Sequence, residues 1–126
     1  MADSGILTLY MASDQAPYWL VTTTPGGSTP QNMTGWALKF VVRAMKNGRP
    51  DQTATGLVMS ATTGAGTISI GNGNGTGDKA TVTIADTDIT TWPPGRSYSG
   101  ALWRTDDGSD TPLWAGPVVL LEAAAQ

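Results

Sequence analysis

No apolar run in this chain continues far before Gly, Pro, Asn or Asp interrupts it. Thr24-Pro25-Gly26-Gly27-Ser28-Thr29-Pro30, Lys46-Asn47-Gly48-Arg49-Pro50, Gly71-Asn72-Gly73-Asn74-Gly75-Thr76-Gly77-Asp78 and Asp106-Asp107-Gly108-Ser109-Asp110 are the clearest breaks. Short apolar runs alternating with such clusters are the signature of a sandwich or barrel. The 16 Gly and 8 Pro among 126 residues supply turn chemistry. Thr, Val, Ile, Trp and Tyr are plentiful and Glu122 is the only glutamate, so the residues between the turns favour strands.

The most regular strand is Trp36–Arg43, with Trp36, Leu38, Phe40 and Val42 on one face and Lys39, Val41 and Arg43 on the other. Further strands are expected at Ile6–Met11, Tyr18–Thr23, Leu57–Ser60, Gly66–Ile70, Lys79–Ile84, Tyr98–Thr105 and Pro112–Leu121. Asp86–Thr91 reads as a single helical turn with Asp86 as its N-cap, stopped by Trp92-Pro93-Pro94-Gly95. About eight short strands and one short helical turn predict an all-β fold, an antiparallel β-sandwich, with a small barrel as the alternative. The expected core joins Trp36, Leu38, Phe40, Val42, Val82, Ile84 and Leu102. The expected organisation is an N-terminal arm or edge strand over 1–14, a β-sandwich domain over 15–121 and a frayed tail over 122–126.

The chain contains no cysteine and no histidine. That removes thiol nucleophiles, disulfides, Cys/His zinc sites and imidazole acid–base chemistry. Ten acids against seven bases give a net charge of −3, which disfavours a nucleic-acid binder. The start lacks a basic, long-apolar leader, and no stretch reaches the roughly 20 apolar residues of a membrane span, so the product is expected to be made in the cytoplasm. No cofactor, metal, nucleic acid or membrane partner is expected.

Gly71–Asp78 has the composition of one calcium-binding repeat or a phosphate loop, but Lys79-Ala80 leads into a strand rather than a helix, so a flexible hairpin loop is expected. Asp106, Asp107 and Asp110 could ligate calcium, yet their spacing equally fits a hairpin tip. Asp86 and Asp88 could form an acid–base pair, but their place in a capping turn favours a structural role. No catalytic residue is assigned, and the chain is not expected to be an enzyme. Of the five tryptophans, Trp19, Trp92 and Trp103 could serve a carbohydrate-binding platform if exposed. Pro112–Leu121 carries Leu113, Val119 and Leu121 at one parity and Trp114, Val118 and Leu120 at the other, which calls for a second cover, here another subunit.

Asn32-Met33-Thr34-Gly35-Trp36-Ala37-Leu38-Lys39-Phe40-Val41-Val42-Arg43 resembles a segment of small phage virion modules, among them the N-terminal domain of phage baseplate upper proteins. The order of motifs continues through Gly66–Ile70, Val82-Thr83-Ile84-Ala85-Asp86-Thr87-Asp88-Ile89, Pro94-Gly95-Arg96-Ser97-Tyr98, Leu102–Gly108 and Leu113–Leu120. Thr34-Gly35 and Pro94-Gly95 would be turns, and Gly116 a bulge or a point of close approach. The resemblance implies a non-enzymatic β-sandwich in a virion. Because no displayed domain follows, the expected function is a capsid decoration or cement protein on the major capsid protein. A baseplate, tail or fibre-attachment adaptor and a carbohydrate-binding module are the alternatives. A homo-oligomer is expected, with Ile6, Leu7, Leu9, Trp103, Trp114, Val118 and Leu120 as candidate interface residues. Ile6–Met11 could pair at a neighbour's sheet edge or be an edge strand of its own sandwich.

Overall fold

The computed structural model describes residues 5–11, 13–89, 91–92, 97–108 and 110–121. Its strands are β1 (Leu7–Tyr10), β2 (Tyr18–Leu20), β3 (Leu38–Lys46), β4 (Arg49–Pro50), β5 (Leu57–Thr62), β6 (Ile68–Gly71), β7 (Lys79–Val82), β8 (Tyr98–Arg104) and β9 (Thr111–Leu121). One helical turn, α1 (Asp86–Ile89), lies between β7 and β8, and a 3-10 turn at Ala54–Gly56 precedes β5. The strands form a six-stranded sheet, ordered β1-β9-β8-β3-β4 with β5 also paired to β3, and a three-stranded sheet, ordered β2-β7-β6. The fold is thus an all-β sandwich.

Alternation along β3 decides which faces meet. Leu38, Phe40 and Val42 are buried, while Lys39 is exposed. On β8 and β9, Tyr98, Leu102, Trp114, Val118 and Leu120 join them, and Leu9 enters from β1. The smaller sheet covers this surface with Ile68, Ala80 and Val82. Trp19 bridges the layers, its ring 5.3 Å from Phe40 and 5.2 Å from Trp114. Gly100 and Gly116, opposite each other on β8 and β9, make space for the Trp114 indole. A Cβ on Gly100 would lie 2.8 Å from Val118 and 3.2 Å from the Trp114 ring, and one on Gly116 would strike the Gly5 carbonyl oxygen. Of the two roles expected for Gly116, close approach is the one observed.

Several sequence expectations need correction. Trp36 lies at the edge of the core rather than within it: β3 begins at Leu38, and Trp36 stands before it, half-buried against the core, with the Arg104 guanidinium 3.8 Å from its ring centre. The strands are not all antiparallel, because β1 runs parallel to β9, pairing Leu7 with Val118 and Tyr10 with Leu121. Residues 46–50 form a hairpin with a short strand of its own, since Asn47 and Gly48 both adopt positive φ, 54° and 77°. Asp86 is the first helical residue rather than the N-cap. The Asp88 carboxylate instead reaches back to accept from the Ala85 N–H at 3.0 Å.

Pro93-Pro94-Gly95, the expected stop after α1, the 122–126 tail and residues 1–4 of the arm lie outside the described residues.

Candidate functional site

The expected interface residues divide once the layers are placed. Leu9 (1% exposed), Trp114 (5%), Val118 (1%) and Leu120 (4%) are interior. The second sheet already covers the surface they were expected to offer a partner. Leu7 is half-buried against the same core. Ile6, 71% exposed, and Trp103, half-buried, remain at the surface. Of the tryptophans considered for a carbohydrate platform, Trp92 is 2% exposed and packs 5.2 Å from the Tyr98 ring, and Trp19 is part of the core contact described above. Trp103 alone of those three faces outward.

The Gly71–Asp78 loop is tethered rather than loose. Asp78 is buried, and its carboxylate accepts from the Gly73 N–H at 2.7 Å and the Asn74 N–H at 3.1 Å. Burial pushes the Asp78 pKa up, but backbone donors Gly73, Gly75 and Asn74 outweigh it and hold it below the ordinary carboxylate value. Asn72 accepts from the Gly77 N–H at 2.9 Å. The loop packs on its neighbours: a Cβ at Gly75 would lie 2.8 Å from Pro30, and one at Gly77 would strike the Asn32 side chain. At the β8–β9 tip Asp106 turns to Arg104 at 2.9 Å, and the Thr111 hydroxyl donates to Asp107 at 2.5 Å. These acids are engaged locally rather than aimed at a common point.

The remaining large surface is the outer face of the six-stranded sheet, set by pairing register. One row crosses the strands through Thr62, Lys39, Trp103 and Pro112; the next through Ser60, Val41, Ala101 and Ala115; a third through Leu57, Arg43, Ser99 and Pro117. Val119 beside Thr8 and Leu121 beside Tyr10 continue the face to β1. Small residues at its centre, Ser99, Ala101 and Ala115, make a groove of about 340 Å³ with Trp103, Lys39 and Arg43 as its sides. Pro50, Gln52, Thr105 and Asp110 complete its lining. Arg43 is held in place by donating to the Asp51 and Thr53 carbonyls at 3.0 and 3.1 Å. Asp51, bonded by the Thr53 hydroxyl at 2.7 Å and by its N–H at 3.0 Å, has its pKa lowered first by that hydroxyl.

Leu57, Val119, Leu121 and Tyr10 on this face are 40%, 37%, 44% and 46% exposed, so its apolar positions are incompletely covered. Two features were missed at the sequence level. A bulge opposite Leu102/Trp103 leaves Leu113 unpaired, so the parity of β9 changes there and Leu113 packs toward the core. Charge is also segregated: between Asp14 and Asp51 the chain has no acid, yet Lys39, Arg43, Lys46 and Arg49 fall within that interval. The second signal was present in the sequence; the first was not.

The fold is a β-sandwich whose six-stranded sheet has a broad uncovered outer face; the smaller sheet exposes Tyr18 and Leu20 on its own outer side. No protein-family model and no curated protein matches the chain. Among solved structures it is similar to the N-terminal domain of phage TP901-1 ORF48, at 12% identity over 92% of this chain and 84% of that chain, with a TM-score of 0.46. That likeness concerns the course of the chain and assigns neither activity nor partner.

Proposed function

We propose that this chain is a non-enzymatic structural component of a phage particle, a docking module that decorates the capsid by binding the major capsid protein. The observation that carries the reading is the uncovered outer face of the six-stranded sheet. A sheet face that leaves Tyr10, Val119 and Leu121 open to water retains apolar area that another protein can bury. The resemblance of its motif order to small phage virion modules supplies the kind of partner. The non-enzymatic reading is supported by the lack of histidine and cysteine and by aspartates spent on local bonds: Asp51 on Thr53, Asp78 on the glycine loop, Asp88 on α1 and Asp106 on Arg104. A carbohydrate platform is disfavoured because Trp19 and Trp92 face inward.

The test is the copy number of this chain in purified virions whose genome encodes it, measured by quantitative mass spectrometry against a capsid subunit. Hundreds of copies are expected. Tens or fewer would move the module to the tail or baseplate, and absence from the particle would overturn the proposal.

A further inference from the structure

The charges on the outer face specify what it can hold. Lys39 and Arg43 are the charged residues in its three central rows and form its positive edge; Lys46 and Arg49 follow on the β3–β4 hairpin at the opposite parity, and Asp110 is the acid in the groove's lining. The chain as a whole has a net charge of −3, so this edge is a local reversal. The Lys39 side chain makes no ion pair or hydrogen bond with the described residues. Arg43 spends one terminal nitrogen on the two carbonyls and keeps other N–H groups for a further acceptor. Beside these cations runs the groove floored by Ala101 and Ala115 and flanked by Trp103.

We infer that this face binds an extended, acidic segment of a partner protein carrying small or apolar side chains at alternate positions, rather than a second copy of itself. The inference rests on the proposal that the face docks. A second copy would bring the same three rows, which hold no carboxylate to meet Lys39 and Arg43, so the cations would gain no opposite charge from it. A carboxylate-bearing segment meets both cations, and its alternate side chains enter the small-residue groove. A nucleic acid would find the same cations, but Val41, Ala101 and Ala115 offer its phosphates nothing, and the overall negative charge opposes it.

The test measures binding of the intact protein to synthetic peptides of about ten residues alternating Val with Asp, Lys or Ser, and to a DNA oligonucleotide. The Asp peptide is expected to bind best, to weaken about tenfold or more between low and high salt, and to lose a similar factor with Lys39→Glu. Sedimentation of the protein alone is expected to show no dimer that Ala101→Glu disrupts. Preference for the Lys peptide or DNA, failure to bind the Asp peptide, or such a dimer would overturn the inference. Particle attachment separates the two ideas. If the protein attaches to particles while the Asp peptide fails, the partner chemistry is wrong and the docking role stands; if it attaches to no particle, the docking role itself falls.

Discussion

Asp78 organises the chain's most glycine-rich segment around one carboxylate. Its backbone donors stabilise the ionised form, so its native pKa is depressed. Its contribution to stability is therefore fully present above the ordinary carboxylate value of about 4 and is lost as pH falls below that value toward the depressed one. Asp78→Asn should lower Tm at neutral pH and flatten the loss of Tm on acidification through that window. An unchanged acid limb would show that the loop does not depend on the charge. Gly77 sits at φ +66° beside Asn32 and Thr34. Gly77→Ala should cost at least about 1 kcal/mol in denaturant unfolding. Phe40 is fully buried between the layers, and Phe40→Ala should cost about 3–5 kcal/mol in the same measurement. Alternation made Phe40 legible in the sequence. The role of Asp78 was not, because one carboxylate serving several backbone N–H groups has no periodicity.

The strands differ in how much of them was written locally. Period-2 alternation placed the inward faces of β3, β7 and β8, because each has one face on the core and one away from it. The direction of β1 was not legible, since parallel pairing to β9 joins the two ends of the chain and leaves no local turn signal. The bulges behave likewise. Val58 and Leu113 are extra residues relative to their partner strands, visible only once those partners are aligned. The interface residues on β9 and β1 were misdirected for another reason: the second sheet covers the face that carries Leu9, Trp114, Val118 and Leu120. Leu9→Ala is a direct check: about 2–5 kcal/mol of lost stability is expected, because Leu9 is 1% exposed and packs in the chain's own core. A variant of unchanged stability that fails to attach to particles would return β1 to the role of an external arm.

At the scale of the molecule, one sheet face is sealed by β2, β7 and β6, and the other is left open with small residues at its centre and cations along one side. That asymmetry underlies the proposed docking role. The sequence already held its charge component, the acid-free interval from Asp14 to Asp51, but only the strand order puts Lys39 and Arg43 beside Ala101 and Ala115. The most direct measurement is attachment of Ala101→Glu to particles assembled without the chain, alongside its Tm. Ala101 lies on the outer face, so the account predicts stability within about 0.5 kcal/mol of the wild type together with loss of attachment. Full attachment by a stably folded Ala101→Glu would contradict it.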